Sequence, residues 1–153
     1  MRLLTSVPLA ALLSAAAAWS CAAAAHEREA IATAAAPLPI GPYSQAVRTG
    51  DVLWLAGQVG IDPRTGRLVE GGAAAEARQA LDNLGAVLAA AGFSFADVVQ
   101  AQVFLIDIAD FAAVNPVYAE RFEREPPARA TLAVAALPAG ARVEIQMVAV
   151  RRR

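Results

Sequence analysis

Pro127-Ala128-Arg129-Ala130-Thr131-Leu132-Ala133-Val134-Ala135-Ala136-Leu137-Pro138 reads as a buried strand that opens with one fixed positive charge. Arg129 is the only charged residue between Glu125 and Arg142, and its neighbours are small or apolar. A guanidinium stays charged at working pH and offers five donors in a planar fork that matches a carboxylate. At the mouth of an apolar strand it serves one of two ends. It makes a structural ion pair or subunit contact, or it anchors a small anionic ligand.

Immediately upstream, Asn115-Pro116 has the form of an N-cap followed by proline at the first helical position, opening a helix through about Phe122. Before that, Asp97 to Asp107 holds the apolar run of a further strand. A strand–helix–strand unit from Val98 to Leu137 closes as a right-handed crossover with parallel strands. Downstream, the turn Pro138-Ala139-Gly140-Ala141 leads to a last strand, Val143 to Val150, and to a solvated basic tail, Arg151 to Arg153.

Toward the N-terminus, Leu81, Leu84 and Leu88 recur at helical spacing within a helix from about Ala73 to Ala91, stopped by Gly92. Val52 to Val59 is apolar on both faces and reads as a central strand, in which Gly57 marks the close approach of another backbone or a ligand. A hairpin turn at Thr49-Gly50-Asp51 joins it to a first strand that follows Tyr43, and Asp62 to Gly66 is a surface turn. The order β-β-α-β-α-β-β predicts an α/β fold, a mixed β-sheet with two helices on one face. The other apolar face then calls for a second subunit.

The 153 residues suffice for one domain with a removable end. The apolar fraction of 58% is inflated by the first 25 residues, which are rich in Ala and Leu. Arg2, the run Leu3 to Ala18 and the small-residue site Ala23-Ala24-Ala25 form the three parts of a secretory signal peptide cleaved near Ala25. That places the mature protein in the periplasm or outside the cell, with no membrane span once the signal is removed. Ser20-Cys21 offers a lipoprotein alternative, which Trp19 fits poorly. Residues 26–38 read as a flexible lead-in to a domain at 39–153.

Loss of Arg2 moves the net charge from −1 to −2. Cys21, the only cysteine, lies in the signal, and His26, the only histidine, at the new N-terminus, so metal centres and histidine triads are excluded. All thirteen basic residues are Arg, which excludes lysine Schiff bases. The chemistry must come from Arg, carboxylates, hydroxyls and backbone, with no cofactor or metal.

Ile40-Gly41-Pro42-Tyr43-Ser44-Gln45-Ala46, Ala56-Gly57-Gln58, Gln79-Ala80-Leu81-Asp82-Asn83-Leu84, Val103-Phe104-Leu105-Ile106-Asp107, Phe111-x-x-Val114-Asn115, Pro127-Ala128-Arg129 and Val143-Glu144-Ile145 occur in this order. Together they resemble the reactive intermediate deaminase (Rid/YjgF) family over about residues 31–152. The resemblance implies a chorismate-mutase-like homotrimer with clefts between subunits. It implies hydrolysis of enamine and imine intermediates, such as 2-aminoacrylate and 2-iminopropanoate, to 2-keto acids and ammonia. It assigns the substrate carboxylate to Arg129, places Glu144 near the water, and maps Tyr43 and Asn115 to the site. Ala56 and Thr131 depart from the commonest pattern, in which Ser and Cys stand there. Thr131 shares a strand face with Arg129 and should line the same cleft as a substrate contact.

Each residue also has a plainer role. Glu144 could be a buried partner for an Arg, Tyr43 a packed ring with a tethered hydroxyl, Asn115 a helix cap, and Gly57 a packing glycine. A non-catalytic small-carboxylate-binding or chaperone (holdase) protein of the same fold is the alternative function. Ribonuclease activity is disfavoured by the acidic balance and the absence of a basic–aromatic pattern, so no nucleic-acid partner is expected. Were residues 130–137 and 143–150 a simple hairpin, Arg129 and Glu144 would lie roughly 20 Å apart. The last strand is therefore expected beside residues 98–106, or the two groups meet across a subunit boundary.

Overall fold

The computed structural model describes residues 27–122 and 124–152. The signal segment, Cys21 and His26 lie outside the described residues. A six-stranded sheet has the order β1-β2-β3-β8-β6-β7, with β1 Arg28–Ile31, β2 Ala46–Thr49, β3 Val52–Val59, β6 Val98–Leu105, β7 Ala128–Ala133 and β8 Val143–Val150. A two-stranded ribbon, β4 Ile61–Asp62 and β5 Arg67–Leu68, flanks the surface turn that joins them. Helix α1 spans Gly72–Ala90 and helix α2 Phe111–Ala119.

The crossover is as expected: β6 and β7 are parallel, and every other pair in the large sheet is antiparallel. The last strand does not fold back on β7. It inserts between β3 and β6, as the sequence argument requires. Alternation along β8 then sorts the sheet into two faces. Val143, Ile145, Met147 and Ala149 are buried against α1 with Leu53, Leu55, Val103 and Leu105. Leu81, Leu84, Val87 and Leu88 supply the helical side of this core, and each is fully buried. Gly60 lets α1 come this close, because a Cβ there would stand 2.5 Å from the Cα of Glu76.

The opposite face carries Glu144, Gln146 and Val148 of β8 beside Trp54 of β3, Phe104 of β6 and Leu132 of β7. Trp54 is 54% exposed and Leu132 47% exposed, so no element among the described residues covers them fully. Such a patch is the uncovered apolar face the element order implied.

Three sequence expectations need correction. Residues 28–31 are not a flexible lead-in but an edge strand, in which Ile31 packs inward opposite Ala46 while Glu29 pairs with Arg48 across the register. Chain 33–37 is tied down as well. The buried Gln45 amide accepts from the Thr33 N–H at 2.6 Å and donates to the carbonyls of Thr33, Ala36 and Pro37.

Asn115 is not a helix cap. Helix α2 starts at Phe111, directly after the turn 108–110, which Asp107 caps by accepting from the Ala109 N–H at 2.9 Å. Pro116 therefore lies inside the helix, and the carbonyl deprived of a donor belongs to Ala112, an exposed residue. Strand β7 is not buried either. It is the sheet edge, with Ala128 to Ala130 and Leu132 exposed.

Candidate functional site

The predicted site residues fall into two groups, one on each face of the sheet. Tyr43, Gly57 and Glu144 line a cleft of about 330 Å³ together with Ile40, Ala56 and Pro138. Tyr43 is 48% exposed at the rim of this cleft. Its hydroxyl accepts from the Ile40 N–H at 3.2 Å, which fixes the turn 40–43 and leaves the O–H proton available to the cleft.

Gly57 sits where the β3–β8 register shifts between Leu55 and Gln58, so the strand bulges toward the cleft. The close approach foreseen there is made by the Glu144 side chain. A Cβ on Gly57 would stand 2.8 Å from the Glu144 carboxyl carbon. Burial holds that carboxyl above the usual glutamate range. No arginine pairs with Glu144 among the described residues. Behind the bulge, Asn83 of α1 donates to the carbonyls of Val59 and Ile61 at 3.2 and 2.9 Å, clamping the end of β3 to the helix.

Because the far end of a flexible side chain is what a Gly57 methyl would displace, Gly57→Ala should fold and lose activity. We expect a drop of at least about tenfold, with no further drop when it is combined with Glu144→Gln. Additive losses in that double variant would show that Gly57 acts independently of Glu144.

The second group is on the helix side. Arg129 lies beside Ala101, a buried residue of β6, and so faces α2. Its Nη2 donates to the Asn115 Oδ1 at 2.8 Å. The guanidinium carbon stands 4.6 Å from the Tyr118 ring centroid and 5.5 Å from that of Phe111. Arg129, Asn115 and Tyr118, with Pro126, Pro127 and Phe122, line an open cleft of about 520 Å³. Thr131 follows on the same face, opposite Val103.

Six other arginines, at 48, 64, 78, 121, 142 and 152, each meet a carboxylate. Arg129 has no acidic partner among the described residues. Most of its five N–H donors remain for a ligand.

Sequence reasoning quoted Phe111 in a motif without giving it a site role, and passed over Tyr118. The signal was present: positions 111, 115 and 118 share one helical face by their spacing. Burial pushes the Tyr118 phenol up to about 12, against the opposing pull of the Arg129 charge.

Glu144 and Arg129 do not meet within one chain. Glu144 stands opposite Phe104, and Phe104 opposite Leu132, three residues beyond Arg129. Two strand spacings across and three residues along separate the Cα atoms by about 14 Å, with the side chains on opposite faces.

Comparison with known proteins agrees with this architecture. The Endoribonuclease L-PSP family profile matches residues 33–151. The 2-iminobutanoate/2-iminopropanoate deaminase of Bos taurus is 54% identical over 124 residues, 81% of this chain and 90% of the bovine protein. Its Homo sapiens counterpart is 52% identical over 124 residues, with the same coverage of 81% and 90%.

Among solved structures, RidA from an Antarctic Psychrobacter is 43% identical and superposes with a TM-score of 0.78, covering 80% of this chain and 99% of its own. The yjgF gene product of E. coli is 42% identical with a TM-score of 0.77, covering 81% of this chain and 99% of its own. The chain belongs to the Endoribonuclease L-PSP family, the Rid/YjgF family that its motifs resemble.

Proposed function

We propose that this protein hydrolyses reactive 2-imino acids and their enamine tautomers, of the 2-iminopropanoate and 2-aminoacrylate type, to 2-keto acids and ammonia. The observation that carries the reading is Arg129, a guanidinium with no carboxylate partner among the described residues, held with donors free at a cleft. Relatives more than half identical are imine deaminases by name.

The chemistry needs no group beyond those present. The enamine takes a proton at its terminal carbon and becomes the imine, whose carbon is already electrophilic. The Arg129 fork binds the substrate carboxylate and orients that carbon. Glu144 takes a proton from water as the oxygen adds, giving a tetrahedral carbinolamine, and returns it to nitrogen. Glu144, ionised again, then passes the carbinolamine hydroxyl proton to the nitrogen as the C–N bond breaks, ammonia leaves, and the C–O bond becomes the keto group. Base catalysis of this kind typically contributes about 10²–10⁴-fold. A glutamate held above its ordinary pKa is a stronger base once ionised. The Tyr43 hydroxyl and the Gly57 backbone border the same cleft. Coupling an amino-acid oxidase to the purified protein and following imine decay across side chains tests the reading. Imine loss no faster than the uncatalysed rate would refute it.

We propose further that the protein is a homotrimer whose site joins the Arg129 cleft of one subunit to the Glu144 cleft of the next. The two half-sites on opposite faces, and the uncovered apolar face, support this assembly.

Glu144 also sets a pH signature. Its folded pKa is raised, so the folded protein holds this proton more tightly than the unfolded chain. The associated stability is fully present below the ordinary glutamate pKa and is lost as pH rises through the folded value. Activity runs the other way. The base must be ionised, so kcat/KM should fall on the acid side with an apparent pKa above that of free glutamate. Glu144→Gln should remove that limb. A limb that persists unchanged in the variant would assign it to another group.

Residues 1–25 are, in this reading, an export signal, and the deaminase works in the periplasm or outside the cell. Fractionation and N-terminal sequencing should find a mature form beginning near His26 outside the cytoplasm. Full-length protein in the cytosol overturns export, and an acylated Cys21 at the new N-terminus assigns lipoprotein processing instead.

A further inference from the structure

We propose that Phe111 and Tyr118 form an aromatic seat on α2 that, with Asn115, aims the Arg129 guanidinium at the substrate carboxylate, and that Tyr118 is a positioning residue for the reaction. The proposal rests on the reading of Arg129 as the carboxylate anchor and adds what holds the anchor still.

Arginine has many rotamers, and an unpaired one at a sheet edge would sample most of them. Here one helical face meets it at three points. Positions 111, 115 and 118 rise along α2 on the side turned to β7, and all three contact the guanidinium. The planar cation lies over the faces of two rings, where the ring quadrupole attracts it. A seat of this kind differs from an ion pair in what it leaves open. A carboxylate partner would occupy the fork, whereas ring faces and a single amide oxygen fix its position and leave its edge free. Tyr118 is itself fixed, being only 5% exposed and packed against the tilted ring of Phe122 at 4.7 Å between centroids. Its hydroxyl has no hydrogen-bond partner among the described residues, so the ring is the part of Tyr118 that touches Arg129. The phenol stays neutral at working pH, which keeps it a ring face and not a competing anion for the fork.

The test uses the full-length protein and two variants that remove a ring, Tyr118→Leu and the more exposed Phe111→Leu, with Tyr118→Phe as the conservative rescue. The binding probe is 2-oxobutanoate, a 2-keto acid that carries the carboxylate but has no imine to hydrolyse. We expect Tyr118→Leu to raise both its Kd and the KM for imine about tenfold, with kcat within about twofold. Phe111→Leu should do the same more weakly, and Tyr118→Phe should return both constants to within about threefold of wild type. In ¹⁵N-resolved spectra the Arg129 Nε–Hε resonance should carry a ring-current shift that Tyr118→Leu abolishes and Tyr118→Phe retains.

A merely structural role would lower the active fraction, and so kcat, at unchanged KM. That outcome overturns the seat. So does a Tyr118→Phe variant as damaged as Tyr118→Leu, or an unmoved Arg129 resonance in both ring-removal variants. Binding of 2-oxobutanoate by Arg129→Ala at the wild-type Kd would overturn the anchor reading itself. Failure of the ring variants to move a Kd that Arg129→Ala does move would overturn the seat alone.

Discussion

Arg129→Ala should lose about 10²–10⁴-fold in kcat/KM for imine hydrolysis while melting close to the wild-type temperature. The size follows from the bonds removed. Hydrogen bonds to a charged group contribute about 1.5–3 kcal/mol each, and the fork makes two to a carboxylate. The stability half follows from position. Arg129 is exposed on the edge strand and takes part in no ion pair among the described residues, so its removal leaves no buried charge behind. Arg129→Lys separates charge from geometry. It keeps the cation but not the planar fork, and we expect at least about a tenfold loss. An Ala variant with near wild-type kcat/KM would remove the carboxylate anchor from the mechanism. A Lys variant equal to wild type would show that charge alone suffices.

The sequence is most legible where both sides of a contact lie in the same chain. Leu81, Leu84 and Leu88 announce α1 by spacing alone, and the core side they face is supplied by β3, β6 and β8 of the same chain. The hairpin turn at Gly50 and the parallel crossover follow from local turn chemistry and handedness, and the structure has both. Legibility fails where the partner is elsewhere. β7 reads as buried because Ala, Leu and Val fill it, yet within one chain it is an exposed edge. An apolar strand records that something covers it, not what does. In the same way, Asn115-Pro116 imitates a helix start, but capping by Asp107 begins the helical run earlier, so the proline is carried inside it. The lead-in failed for a third reason. Alanine is a weak strand former, and β1 forms through one buried Ile31, the Glu29–Arg48 pair and the Gln45 clamp on the chain that follows.

For the candidate site, the motifs named the residues but could not place them relative to one another. Tyr43, Gly57 and Glu144 come together because the last strand inserts beside β3, a topological fact that local sequence leaves undetermined. Arg129 and Asn115 come together because α2 lies over β7. Thr131 neighbours Arg129, so a hydroxyl stands beside the anchor, and Ala56 lines the Glu144 cleft without one. Polar and apolar roles are therefore divided between the half-sites. An imine side chain pointing toward Ala56, Ile40 and Pro138 would meet a mostly apolar wall.

The division into half-sites gives the second large effect: turnover should require subunits to share residues. No rotamer closes about 14 Å between groups on opposite sheet faces, so a single chain cannot present Arg129 and Glu144 to one small substrate. In a ring of three copies with heterologous contacts, each site would instead take its Arg129 from one subunit and its Glu144 from the next. Arg129→Ala and Glu144→Gln proteins should each be nearly inactive alone. Unfolded together at equal amounts and refolded, they should regain about one quarter of wild-type activity, because about that share of random neighbour pairs restores both residues. A charge placed on the open face, as in Trp54→Asp or Leu132→Asp, should give a folded monomer that has lost turnover with Arg129, Tyr43 and Glu144 intact. Light scattering reports the assembly state, and the oxidase-coupled assay reports the activity. No recovery in co-refolded mixtures that scatter as trimers would refute the shared site. So would an active monomer at concentrations where no trimer is detected, because such a monomer would have to bring the two faces of one sheet to a single substrate.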